Sequence, residues 1–374
     1  LGSNSVGRAL LDTDDEADAS EVNWRNRLKT WHLFWRIARA NRPSPLRRLA
    51  QPVSVVEQAV TTGGAQLRVR VYRPATPSAT LVLNGGFVPE SIDDPRLVNF
   101  AAALAEIGFL VLTPDYPAVR ALEFTPVTID EIEAVLTSIR ASPAWGGSGP
   151  LAVIGLSYVG TLSLKAALRM NAPPDFLGVF GGYADFGDLM YAVFQDVYRY
   201  DGVNVPVDPY GRFLVLRSVI DRFSPPPAER ERIRSLALAI GRRRPPAEIA
   251  AETACLSAAG RECLGALRAF HPDRAPEPWR RILHDARDTV EALSVREPAE
   301  RLRSRLVLLH SVYDHVLPCA GSIALHRHFP SSSLTLTTVF THVNPRLSLA
   351  ALWSQGRELR TLSRIFEDLS ALQA

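Results

Sequence analysis

Three residues of this chain could together activate a hydroxyl: Ser157, Asp314 and His342, met in that order. A serine attacks a carbonyl only when a base takes its proton and an acid orients the base. Ser157 lies in the string Leu151-Ala-Val-Ile-Gly-Leu-Ser157-Tyr-Val-Gly160, where a short apolar run meets a helix-forming stretch. A Gly-x-Ser-x-Gly turn in that setting lifts the hydroxyl above a sheet. The following amides, at a helix N-terminus, can then stabilise negative charge on an attacked oxygen. Gly155 fits this pattern. Val159 stands where the second glycine is expected, and Gly160 comes one residue later. The string alone also fits an ordinary strand-to-helix turn with a capping serine.

The surroundings favour the first reading. Asp314 follows the apolar run Leu306–Leu309, in His310-Ser-Val-Tyr-Asp314-His315-Val-Leu-Pro318. His342 follows the run Leu334–Phe340, in Phe340-Thr-His342-Val-Asn. Serine, acid and base thus all fall just beyond the ends of expected strands, where open α/β sheets bind ligands. A fourth strand end, Leu81-Val-Leu-Asn84-Gly85-Gly86-Phe87, has a glycine loop suited to offering backbone N–H groups. Gly86, Phe87 and Tyr158 are the expected oxyanion donors. Asp185 and Asp188 are rivals for the acid, behind Asp314. His310 and His315 flank Asp314 on its own loop and read as structural or pocket-lining. His326 and His328 read as surface helix residues, and His32, His271 and His284 lie outside the strand pattern.

Strands and helices must alternate to bring these positions together, and they do. Val53–Val56, a Gly63-Gly64 turn and Leu67–Val71 read as an antiparallel hairpin with one wet face. Then come a strand at Leu81–Leu83, a helix at Val98–Ile107 and a strand at Phe109–Leu112. A helix at Thr128–Ile139, opened by a Thr128/Glu131 capping box, precedes a strand at Leu151–Ile154. A helix at Tyr158–Leu168 and a strand at Phe176–Phe180 follow. This order predicts a mostly parallel sheet covered on both faces. Near Ala184 the alternation stops. The stretch to Pro298 is aromatic-rich and helical, with no clear strands. The sheet pattern then resumes at Leu306–Leu309, with a helix to His328, a strand at Leu334–Phe340 and an amphipathic helix at about Leu347–Leu372.

The division expected is therefore an N-terminal arm and amphipathic helix (1–50), a first part of the core (51–185), a helical insertion (186–298) and a last part of the core (299–374). The arm is acidic and lacks apolar periodicity. In the helix after it, Trp24, Leu28, Trp31 and Trp35 recur at helical spacing among five basic residues. Such a helix can pack on the main domain or a second subunit, or lie on a membrane surface.

Taken together, Ser157, Asp314, His342, the Asn84–Phe87 loop and the string Phe109-Leu-Val-Leu-Thr-Pro-Asp115-Tyr-Pro117 resemble the α/β-hydrolase superfamily. The resemblance spans Leu81 to His342, apart from the insertion. It implies an α/β-hydrolase fold: a mostly parallel central sheet flanked by helices, with a mainly helical cap inserted after the sixth strand. It implies Ser157 as nucleophile, His342 as base and Asp314 as acid, cleaving a carboxylic ester or related acyl compound through an acyl-enzyme without a cofactor. Two departures stand out, Val159 in the elbow and Asn84 where many members have histidine. An acyltransferase or cyclase using the same triad, or a binding protein with a disabled elbow, are the alternatives. The aromatic and apolar residues of the insertion (Phe186, Met190, Tyr191, Phe194, Tyr198, Tyr200, Tyr210, Phe213, Leu216) either line an apolar acyl pocket or form the insertion's own core.

Composition narrows the field. The chain has 374 residues, 47% hydrophobic and 22% charged, as expected for a globular protein. Its net charge of +3 is no footprint for nucleic acid. All but two of the 42 basic residues are arginines, scattered along the chain; Lys29 and Lys165 are the exceptions. Three cysteines form no disulfide framework and no Cys-x-x-Cys zinc motif. No Gly-x-Gly-x-x-Gly or P-loop string is present, and no metal-ligand spacing stands out. No apolar run approaches the ~20 residues of a membrane span, and none near Leu1 reads as a signal peptide. The expectation is a cytoplasmic protein acting on a small apolar or aromatic acyl substrate. Residues 22–40 could contact another copy of the chain or a membrane surface.

Overall fold

The computed structural model describes residues 24–38, 44–46, 48, 50–62, 65–147, 149–339, 341–342 and parts of 362–372. The acidic arm, the Gly63-Gly64 turn, Phe340 and the first part of the expected Leu347–Leu372 helix lie outside the described residues.

An eight-stranded sheet organises the molecule, in the order β1-β2-β4-β3-β5-β6-β9-β10. Its strands are β1 (Val53–Thr62), β2 (Ala65–Pro74), β3 (Ala79–Asn84), β4 (Phe109–Pro114), β5 (Leu151–Leu156), β6 (Phe176–Phe180), β9 (Arg305–Ser311) and β10 (Ser333–Thr337). Only β2 runs against its neighbours, β1 and β4; the other pairs are parallel. β3 and β4 are buried along their whole length, as near-continuous apolar runs in a parallel sheet must be. Alternate side chains of the central strands feed two cores. Val82, Leu110, Val153 and Leu177 face α4 (Val127–Ala141) and α5 (Tyr158–Arg169). Leu81, Leu83, Val111 and Ile154 face α2 (Pro95–Glu106) and the helical residues Leu362, Ile365 and Leu369. Remaining core helices are α3 (Pro117–Ala121) and α13 (Ala320–His328).

The Thr128/Glu131 capping box does not form. α4 starts at Val127 with Pro126 at its N-cap and no side-chain cap bond. Thr128 therefore sits inside the first turn, where its hydroxyl and Glu131 Oε2 are buried without a partner among the described residues. Burial holds the Glu131 carboxyl above its ordinary range.

Helix α1 (Trp24–Ala38) packs on α2. The contact face is not the tryptophan stripe. Thr30, His32 and Leu33 are buried, whereas Trp31 is 51% exposed and Trp35 37%. His32 Nε2 lies 2.8 Å from Glu106 Oε2, Arg36 Nε lies 3.0 Å from the same oxygen, and Asn99 Nδ2 donates to the Arg36 carbonyl at 2.8 Å.

Between β6 and β9 the chain builds α6 (Phe186–Ala192), α7 (Pro209–Ser218), α8 (Arg230–Gly241), α9 (Pro246–Ala254), α10 (Ala258–Ala269), α11 (Pro276–Asp285) and α12 (Arg287–Leu293). It also holds a hairpin that the sequence reading missed, β7 (Val197–Tyr200) with β8 (Val203–Pro206). The signal was Asp201-Gly202. Both residues adopt positive φ, 44° and 77°, as a two-residue hairpin turn demands. The strands are short and largely exposed, so no apolar alternation announced them. Lys165 of α5 fastens the far end of the insertion. Its ammonium donates to the Ser294 carbonyl at 2.6 Å and to Glu297 at 2.7 Å, with only 3% of the side chain exposed.

Candidate active site

Ser157 follows the last residue of β5, a central strand between β3 and β6. Its backbone is at φ 57°, ψ −138°, a region that L-residues avoid. Such strain persists only where the surroundings over-determine it. Here Ser157 N donates to the Phe180 carbonyl at 2.7 Å, and Gly160 N donates to the Ser157 carbonyl at 2.9 Å. The side chain makes no capping hydrogen bond to α5, so this serine is not an ordinary N-cap.

Close packing behind the turn explains how Val159 is tolerated. A Cβ on Gly155 would stand 2.6 Å from the Gly160 Cα and 2.7 Å from Ser163 Oγ. One on Gly160 would stand 2.7 Å from the Gly155 carbonyl oxygen. The glycine pair that lets strand and helix touch is thus Gly155 and Gly160, and Val159 is fully buried in the core beside them.

His342 and Asp314 come to the same place. The His342 Nδ1 lies 2.7 Å from Asp314 Oδ2. A carboxylate only accepts, so Nδ1 carries the proton and Nε2 of the neutral ring is left as the basic nitrogen. Asp314 is 1% exposed. Its Oδ1 accepts from Val316 N at 2.8 Å and Leu317 N at 2.9 Å. Burial would raise this carboxyl, but His342 beside it, with hydrogen bonds from His310 and His342, holds it well below the usual carboxylate range. Gly181, past the end of β6, is where the three residues meet. A methyl group there would lie 3.7 Å from Asp314 Oδ2, 3.8 Å from the Ser157 Cα and 3.9 Å from His342 Cε1. The sequence reading passed over this glycine. Its place after a parallel strand, with φ 75°, was the available signal.

The rivals are employed elsewhere. Asp185 caps α6 through Asp188 N and pairs with Arg296. His310 is buried, with Nε2 2.9 Å from the Leu317 carbonyl and Nδ1 2.7 Å from Ser322 Oγ. It sits 3.4 Å from Asp314 Oδ2, a brace on the Asp314 loop. His326 bonds Ser332, and His328 bonds the Glu297 carbonyl. Burial, and then Asp314, push the Cys319 thiol up to about 11, so it stays protonated near neutral pH.

The Asn84–Phe87 loop lies over Ser157: a Cβ on Gly86 would stand 3.8 Å from the Ser157 Cβ. Asn84 is fully buried. It donates to Ser163 Oγ at 2.8 Å and accepts from Tyr116 OH at 3.0 Å, tying β3 to α5 and to the loop after β4. That loop is fixed in turn by Asp115, which accepts from Arg68, Ser91 and Arg120 at 2.9, 2.7 and 2.8 Å. Tyr158 follows Ser157 at the first position of α5, where amides have no partner within the helix. Beside the elbow, the rings of Phe87, Phe124, Tyr158, Tyr183 and Phe186 form one cluster with centroids 4.7–5.9 Å apart.

The insertion's aromatic residues divide. Phe194 packs on Phe270 and Trp279, and Phe213 and Leu216 are buried in the same core. Tyr191 is exposed and bonds Asp273. Tyr198 and Tyr210 instead reach the site's loops, donating to the Asp314 carbonyl at 2.8 Å and the Phe87 carbonyl at 3.2 Å. Among the described residues no helix is long and apolar enough to cross a membrane, and no cluster of His, Cys, Asp or Glu could hold a metal ion.

The strand order, the antiparallel β2 and the strained serine turn after β5 define an α/β-hydrolase fold. No family model and no curated protein matches the chain. Solved structures do overlap with it. A meta-cleavage product hydrolase from Pseudomonas fluorescens IP01 is 16% identical, over 83% of this chain and 98% of that one, at TM-score 0.41. An acylaminoacyl peptidase from Pyrococcus horikoshii is 11% identical, over 86% of this chain and 42% of that one, at 0.47. A 2,6-dihydroxy-pseudo-oxynicotine hydrolase is 15% identical, over 86% and 69%, at 0.47.

Proposed function

We propose that this chain is a serine hydrolase of acyl compounds, carboxylic esters first, with Ser157 as nucleophile, His342 as base and Asp314 as its orienting acid. The observation that carries the reading is the gathering of a strained, uncapped Ser157, His342 and the buried Asp314 around Gly181. Ser157 Oγ attacks the carbonyl carbon while its proton passes to His342 Nε2. Asp314 stabilises the imidazolium that forms. The oxyanion is met by backbone N–H groups of Tyr158 and of Gly86 or Phe87. The C–O bond to the leaving alcohol breaks, and His342 returns the proton to that alcohol. Water, deprotonated by His342, then splits the acyl-enzyme and releases the acid. The insertion acts as a cap, and the rings of Phe87, Phe124 and Phe186 beside the elbow suit an apolar or aromatic acyl group.

The test is stopped-flow hydrolysis of p-nitrophenyl esters graded in acyl length. A burst of one p-nitrophenol per chain, then slower turnover, is expected. Ser157→Ala should lower kcat at least ~10⁴-fold. Turnover unchanged in the folded variant would overturn the assignment.

A further inference from the structure

Helix α9 has an unusual place in the insertion: none of its nine residues is buried. It touches the end of α8 and stands off from α10, leaving an open groove of about 720 Å³ between them. The walls are apolar, formed chiefly by Ile240, Pro246, Ile249, Ala250 and Ala254.

The rim is cationic. Four arginines border the groove: Arg243, Arg244, Arg261 and Arg268. The two acidic side chains of α9 are already engaged, because Glu248 and Glu252 both clamp Arg244, at 2.7 and 2.9 Å. Arg243 has only a loose contact with Asp208, at 3.8 Å, and 69% of its side chain is exposed. Arg261 donates to the Leu256 carbonyl, and neither it nor Arg268 makes an ion pair among the described residues. Arg261 and Arg268 thus border an apolar trough without an ion pair among the described residues, and Arg243 has only the loose Asp208 contact beside them. Arg243 also holds φ 54°, a conformation glycine adopts at less cost.

We propose that this groove binds a free single-chain anionic amphiphile: an alkyl chain along α9, with a carboxylate or phosphate head on Arg243, Arg261 and Arg268. An apolar trough alone would accept any aliphatic chain. The arginine rim selects the charged head, because guanidinium pairs well with planar carboxylate and with phosphate. The site lies on the outer face of the insertion and does not depend on the reaction proposed at Ser157.

The experiment is isothermal titration of the whole chain with octanoate, decanoate and dodecanoate below their micellar concentrations. Dodecyl phosphate and dodecanol are titrated alongside. One ligand per chain is expected, tightening about three- to fourfold per added methylene. Dodecanol should bind at least tenfold more weakly than dodecanoate. Ala250→Trp, which fills the groove from an exposed position, should abolish binding. Arg243→Gly, which removes a guanidinium and relieves the backbone, should weaken binding about tenfold with no loss of thermal stability. Ser157→Ala should bind as the parent does. Binding that survives Ala250→Trp, dodecanol binding equal to dodecanoate, or no binding at all would each overturn the proposal. So would binding seen only with phosphatidylglycerol vesicles and never with monomeric amphiphile.

Discussion

The sheet's C-terminal edge and the helical insertion are held together in opposite ways. At the sheet edge, named side chains bond to named side chains around buried Asp314, Asn84 and Asp115: Asp314 with His342, Asn84 with Ser163 and Tyr116, Asp115 with Arg68, Ser91 and Arg120. The insertion grips those same loops through donors to backbone carbonyls. Tyr198 reaches Val312 and Asp314, Tyr210 reaches Phe87, and Arg217 reaches Ala121 and Leu122. A carbonyl is offered by every residue. The edge therefore depends on side-chain identity, while the docking of the insertion rests largely on backbone geometry and a suitable donor. Two charge pairs that join the regions stand apart, Lys165 with Glu297 at 2.7 Å and Arg242 with Glu90 at 3.4 Å.

Asp314→Asn should have the largest effect, because it falls at the sheet edge, where side-chain identity matters most. The substituted amide favours the wrong ring tautomer, and kcat should fall ~10⁴-fold. The same residue sets an acid dependence. A carboxyl held below its unfolded value binds fewer protons when folded, so its stabilisation is complete above about pH 4 and is lost as the pH falls. Urea titrations between about pH 5 and pH 2 should therefore show a flatter stability curve for Asp314→Asn than for the parent. A parallel pair of curves would count against a depressed Asp314.

Lys165→Met comes next. It leaves the half-buried Glu297 carboxylate with the Arg296 amide alone, at a cost of ~1.5–3 kcal/mol in urea unfolding. The double variant with Glu297→Leu should recover most of that loss. Tyr210→Phe is the smallest. Removing one donor to a carbonyl should cost only about 1 kcal/mol in stability, with KM for the ester changing more than kcat. A collapse of kcat here would mean that the insertion orders the Phe87 loop.

What the sequence revealed follows the same divide. Apolar runs placed β3 to β6, and the polar residues just beyond strands marked Ser157, Asp314 and His342. Gly181 and the Gly155–Gly160 contact were less legible, because a glycine's role depends on what approaches it in space. Asn84 read as a departure from a pattern, yet its use as a buried tie follows from Tyr116 and Ser163, 32 and 79 residues away. The Thr128/Glu131 box failed because α4 begins one residue earlier than its capping signal. In the insertion, helices were visible but their faces were not. Aromatic residues recur there for three purposes, its own core, the surface and the latches to the edge, and composition does not separate them.

The central claim is that Ser157 is an activated nucleophile. Intact-mass spectrometry after incubation with a fluorophosphonate tests it most directly, with the parent chain and Ser157→Ala side by side. The account predicts one adduct on the parent and none on the variant. An unlabelled parent that is folded by circular dichroism, or an adduct that persists in Ser157→Ala, would contradict it.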